Sequence, residues 1–172
     1  LADAAVRGLI ATPGSEPAIL ELMQQSDGPS ARLAHAAAKR PSEGAEEILL
    51  AWLADYPSDD TTREAIYAAL AACGGRASLR VLGDAAAAAD FDFAPGDATG
   101  AFLDLLNNLA ERGDTKVVQR AARTLAKESV RTNIRTAALE LLLRTTPEQR
   151  TELLLAALGD NDRAYRCAAL TL

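Results

Sequence analysis

The sequence predicts an all-α fold, a stacked array of helical hairpins, and three observations carry that expectation. Ala and Leu supply more than a third of the 172 residues while aromatics make up 4%, and these two are among the best helix formers because they lose little rotamer freedom on a helix. Val and Ile are sparse and no run alternates with period two, which argues against a sheet. Helical periodicity is also broken at regular intervals. Gly14, Gly44, Gly75, Gly113 and Pro147 stand 30, 31, 38 and 34 residues apart, and a period in this range marks a helical array.

Taken in order, the first helix pair is expected over roughly residues 2–25, split at Thr12-Pro13-Gly14, with Ser15 ahead of Glu16-Pro17 as a start signal. A second pair covers 30–55, split between Pro41 and Gly44. The third covers 60–89, with Asp60 and Thr61 placed to cap its first helix and Gly74-Gly75 dividing it. The fourth spans 97–127, where Asp114 opens the helix bearing Lys116. The fifth spans 131–158, divided at Thr145-Thr146-Pro147, and a partial sixth unit starts at 161. Between these pairs lie a second class of breaks, Ser26 to Ser30, Tyr56 to Asp60, Ala89 to Asp97, Glu128 to Ser129, and Gly159 to Asp162. Two alternating classes of break mean two helices per unit. The whole of 1–172 reads as one repeat domain.

The first helices also match one another. Asp60-Thr-Thr-Arg63-Glu-Ala-Ile-Tyr-Ala68-Ala69-Leu70 aligns with the stretch from Asp160 to Leu170 at an offset of 100, and Ile134 to Leu139 aligns with Tyr165 to Leu170 at an offset of 31. Arg32 to Ala38 aligns with Arg63 to Ala69, again at 31. The stretch Leu158-Gly-Asp-Asn-Asp-Arg-Ala-Tyr-Arg-Cys-Ala-Ala-Leu170 resembles the HEAT-repeat signature, in which a helix ends in Leu-Gly, an acidic turn comes next, and an Arg-x-x-Ala-Ala-x-Leu-like helix begins. Ile134-Arg135 with Ala137-Ala138-Leu139 repeats the helix half. Other copies depart from it, with Ile66 and His35 where the Arg would stand. The resemblance covers essentially the whole chain. It implies an α-solenoid, a right-handed superhelix of about five to six HEAT-like hairpins, and specifies an architecture rather than an activity.

Composition limits the function classes. The net charge of −6 repels polyphosphate, so nucleic acid is not an expected partner. No stretch of about 18 apolar residues is free of charge, so no membrane span is expected. Cys73 and Cys167 are read as small buried hydrophobes. His35 is the sole histidine and is expected on a surface or between helices. With one histidine, neither a His-Glu-x-x-His zinc site nor a multi-histidine iron site can be assembled, and no Gly-x-Ser-x-Gly turn or phosphate loop is present. No cofactor or metal is expected, and catalysis within this segment is not. Asp90, Asp92 and Asp97 lack the spacing of a calcium loop. Leu1 starts within one helical pattern and Leu170 to Leu172 stop within another, so more chain is expected on at least one side. The compartment is left open.

Two features suggest binding. Arg112, Lys116, Arg120, Arg123, Lys127, Arg131 and Arg135 form a ladder spaced by three or four residues, which puts Lys116, Arg120, Arg123 and Lys127 on one helical face as a docking stripe for an acidic surface. The first 86 residues hold 7 basic and 12 acidic side chains, the second 86 hold 11 and 12. The longest break, Asp90 to Asp97, carries Phe91 and Phe93, either folded back as a lid on the preceding helix or presented as an aromatic contact. Trp52 and Tyr56, one turn apart, are expected as one packed and one partly exposed ring. The reading is a non-catalytic scaffold that docks a partner protein or a neighbouring domain of the same polypeptide. An accessory segment of a larger, secreted sugar-acting enzyme and a HEAT-like lyase are the alternatives.

Overall fold

Eleven α-helices make up the fold among the described residues, which in this computed structural model are 3–56, 59–92, 97–128 and 131–172. They are α1 (Asp3–Ala11), α2 (Glu16–Gln24), α3 (Ala31–Lys39), α4 (Ala45–Asp55), α5 (Asp60–Cys73) and α6 (Arg76–Ala88). Then come α7 (Ala98–Glu111), α8 (Thr115–Glu128), α9 (Thr132–Thr145), α10 (Arg150–Leu158) and α11 (Arg163–Ala169), with a short 3-10 turn at Pro147–Gln149. No strand occurs among the described residues. None of the described helices is long and apolar enough to cross a membrane.

The chain divides into two compact units, Leu1–Leu105 and Leu106–Leu172. In the first, α1 packs on α3 and α3 on α5, while α2 packs on α4. Its core is built from fully buried Ile19, Met23, Leu49, Ile66, Leu70 and Leu82. The ring of Phe102 lies on Gly83, where an added Cβ would meet it at 3.2 Å. In the second unit α9 packs on both α8 and α11, and α10 on α9 and α11. Leu139, Leu143, Ala157, Tyr165 and Ala169 form one buried cluster there.

Local chemistry sets the helix boundaries. Ser30 and Asp162 cap α3 and α11, accepting from the backbone N–H of Leu33 and Ala164. The cap of α5 is Asp59, not Asp60 or Thr61 as expected. Its carboxylate accepts from the backbone N–H and the hydroxyl of Thr62, each at 2.9 Å, while Asp60 pairs with Arg63 one turn on. Ser15 makes no cap bond either, and its hydroxyl donates to the Leu9 carbonyl at 2.6 Å. Helix α7 ends in a turn in which Asp114 N–H reaches the Leu109 carbonyl and Gly113 sits at φ 88°, the left-handed position that glycine occupies without a Cβ penalty. Helix α6 closes the same way, but with Asp90 at φ 53° and Phe91 at φ 51°.

Helix α6 starts at Gly75, which has no side chain to cap it. Glu46, on α4, takes that role: its Oε1 accepts from Gly75 N–H at 2.8 Å, Ser78 N–H at 3.0 Å and Ser78 Oγ–H at 2.7 Å. A carboxylate at a helix N-terminus is favoured by both the free N–H groups and the helix dipole.

Of the sequence matches, the one between α9 and α11 holds in detail. At the offset of 31, caps Arg131 and Asp162 coincide, and buried Ile134 and Ala138 stand opposite buried Tyr165 and Ala169. The offset of 100 instead sets buried Ile66 against half-buried Arg166. Sliding it by one residue pairs Ile66 with Tyr165 and Leu70 with Ala169. Sliding the α3–α5 match by two pairs Leu33 with Ile66, Ala36 with Ala69 and Ala37 with Leu70, all buried. In an Ala-rich chain, identity at Ala positions is a weak guide to which face is inward.

The cysteines depart from the sequence reading. Cys73 is half-buried, with its thiol against the Ala69 carbonyl at 3.1 Å, and Cys167 is exposed. Residue 167 falls on α11 between buried Tyr165 and Ala169, on the outward arc. Trp52 is buried while Tyr56 is 44% exposed, with its ring on Gly28.

Candidate functional site

Helix α8 carries the basic stripe. At about 100° per residue, Lys116, Arg120, Arg123 and Lys127 fall within an arc of roughly 60°, and all four are exposed. Val118, Ala122 and Leu125 lie on the opposite side and are buried. Lys116, Arg120 and Lys127 form no ion pair with any described residue. Arg123 Nη2 donates at 2.9 Å to the amide oxygen of Gln149, a neutral partner. Gln119 anchors the helix to its neighbour, donating to the Thr145 carbonyl at 2.8 Å.

The rest of the ladder does not share this face. Arg131 is half-buried at the cap position of α9. Arg135, the last rung of the ladder, turns inward. Its guanidinium forks onto Asp160, with Nη1 to Oδ1 at 3.4 Å and Nη2 on Oδ2. It stacks over the Tyr165 ring at 4.0 Å from the centroid, and its Nε donates to the Ala126 carbonyl at 3.3 Å. Asp162 Oδ2 lies 4.0 Å from Arg135 Nη1 and accepts from the Thr132 hydroxyl. Arg166 completes the knot by donating to the carbonyls of Asp160 at 2.6 Å and Asn161 at 3.0 Å. The acidic turn before α11 thus supplies the partners of an Arg on α9.

Hydrogen bonding perturbs these groups. The Arg135 guanidinium, then the Asp162 backbone N–H, hold the Asp160 carboxyl below the usual aspartate value, and the Thr132 hydroxyl does the same for Asp162. Burial pushes the Tyr165 phenol up. Because both carboxyls are more acidic folded than unfolded, their stabilisation is complete above the ordinary value of 3.8. It is lost as pH falls through their lowered folded values. The melting temperature of the chain is therefore expected to fall on acidification below about pH 4. In Arg135→Met that fall should be shallower, since Asp160 loses its main donor. Circular dichroism melts of both proteins between about pH 6 and pH 2.5 check this, and parallel acid limbs would count against it.

Between α8, α9, α10 and the start of α11 lies a groove of about 270 Å³. Buried Leu139, Leu142 and Ala157 with half-buried Leu153 supply its apolar floor, buried Tyr165 and the Arg135–Asp160 pair also line it, and exposed Arg123 and Lys127 supply its rim. A volume below the usual 300–1,000 Å³ of a small-molecule pocket suits a single side chain. The sequence exposed the rim cations through their spacing. The floor stayed hidden because Leu142, Leu153 and Tyr165 belong to three different helices.

Phe91 is half-buried in the first unit, and Phe93 lies outside the described residues. His35 is exposed in a groove of about 430 Å³ in the first unit, beside Arg7 and Arg32. The two units differ in charge. Residues 106–172 hold eleven basic and eight acidic side chains, net +3, against seven and sixteen, net −9, in residues 1–105. No family model, curated protein or solved structure matches the chain.

Proposed function

We propose that this chain is a non-catalytic docking module, an array of HEAT-like hairpins whose α8 stripe receives an acidic surface of a partner protein or of a neighbouring domain. The single observation that carries the reading is the stripe itself. Lys116, Arg120, Arg123 and Lys127 are exposed on one face of a helix whose one acidic residue is Glu128. Like charges three or four residues apart on a helix oppose each other by about 0.2–0.5 kcal/mol per pair, and an ordinary solvated face relieves this by interspersing acids. Here the relief would come from outside the helix. A net charge of −6 disfavours nucleic acid as the source and favours a protein surface with a local acidic patch.

The array reading is supported by the packing of alternate helices, α1–α3–α5 in one unit and α9–α11 in the other, and by the shared register of α9 and α11. Such modules present extended surfaces because each repeat contacts mainly its neighbours.

Reversing two central charges, Arg120→Glu with Arg123→Glu, is expected to abolish salt-sensitive capture of a protein partner while leaving the far-ultraviolet circular dichroism spectrum unchanged. Equal recovery of the same partner by both proteins would sink the stripe as a docking surface.

A further inference from the structure

We infer that the groove beside α8 takes an apolar side chain from a partner segment whose flanking residues are acidic. This rests on the docking reading above and adds what the stripe alone does not say, an anchor and a length. Arg123 and Lys127 belong to both features, being the last two cations of the stripe and the rim of the groove. The one acid in the lining, Asp160, is committed to Arg135. An acidic segment approaching the rim therefore meets two cations that pair with no acid among the described residues, and its carboxylates are held where a neighbouring side chain can drop onto Leu142 and Leu153.

The dimensions agree. Lys116 to Lys127 spans about 16 Å of helix at 1.5 Å per residue, the length of roughly five residues of extended chain at 3.3 Å each. A groove of about 270 Å³ lined by leucines and Tyr165 has room for a Phe or Leu side chain. Apolar anchoring in a pocket with a charged rim is the usual division of labour in protein recognition, the anchor supplying affinity and the charges steering and register.

The test uses the 172-residue chain and fluorescence anisotropy with three labelled peptides at low ionic strength. They are Glu-Asp-Glu-Asp-Phe-Gly, the same peptide with Ala for Phe, and its basic counterpart Lys-Arg-Lys-Arg-Phe-Gly. The acidic Phe peptide is expected to bind about tenfold tighter than the Ala peptide, and the basic one not at all. Ala156→Trp, at an exposed position lining the groove, plugs it and should erase the difference between Phe and Ala. Arg123→Glu with Lys127→Glu should weaken both acidic peptides about tenfold or more. Equal binding of the Phe and Ala peptides, with the charge dependence intact, would overturn the anchor and leave the stripe standing. Absence of binding by either acidic peptide, or indifference to charge reversal, would overturn both.

Discussion

Glu46→Ala is expected to cost the first unit about 3–4 kcal/mol, because it strands three donors that share one oxygen. Glu46 Oε1 accepts from two backbone N–H groups and a hydroxyl at the start of α6. Ser78 is fully buried, so water cannot replace the lost acceptor on its side chain. A buried donor left unpaired costs about 1–3 kcal/mol, more than the net worth of the bond it made. Glu46→Gln keeps an acceptor oxygen but loses the charge that favours a helix N-terminus, so its cost should be smaller, about 1–2 kcal/mol. Glu47→Ala, one residue on and exposed, should stay within about 0.5 kcal/mol. Trp52, the sole tryptophan, sits buried on the same helix, so its fluorescence through a urea titration reports this unit directly. A shift for Glu46→Ala no larger than for Glu47→Ala would refute the clamp.

This clamp shows where sequence reasoning stops. The turn at Gly74-Gly75 was legible, because glycine pairs interrupt helical periodicity and this one fell in step with four others. The partner of the turn was not. Glu46 lies some thirty residues upstream on a different helix, and nothing in its neighbours Glu43 and Glu47 distinguishes it from a solvated acid. The same division holds in the second unit. The spacing of Lys116, Arg120, Arg123 and Lys127 needs only helical geometry, so the stripe could be read directly. Arg135 continues that spacing yet turns inward, because α8 has ended, a new helix starts after Arg131, and Asp160 and Tyr165 wait on the turn before α11 and on α11 itself. Local periodicity sets which residues share a face; it cannot say which face a neighbouring helix covers. Helix starts suffered a milder form of this ambiguity. Asp59 and Asp60 are equally good caps by type, and the choice between them falls to whichever places Thr62 to donate twice.

Gly74→Ala is expected to be nearly as damaging as loss of the clamp, by about 2–4 kcal/mol, for a reason unrelated to glycine's flexibility. Gly74 stands at φ −70° and ψ 163°, a conformation any residue adopts. The obstacle is space. An added Cβ would lie 2.3 Å from the Leu70 carbonyl oxygen and 2.5 Å from both Cβ and Oγ of Ser78. Neither neighbour can yield cheaply: the first is backbone, and the second is the buried hydroxyl that Glu46 holds. The α5–α6 turn must therefore open, and opening it pulls Ser78 and Gly75 off the carboxylate. Gly8→Ala is the control, an exposed helical glycine with nothing within 4 Å. It should gain about 0.5–1 kcal/mol from the lower entropy of the unfolded chain. Because the steric push and the lost clamp act on the same three hydrogen bonds, Glu46→Ala and Gly74→Ala together should cost less than their sum by about 1 kcal/mol or more. Strict additivity in Trp52-monitored unfolding would mean that the turn accommodates the methyl without disturbing Glu46, and that the close approach at Gly74 and the clamp are independent.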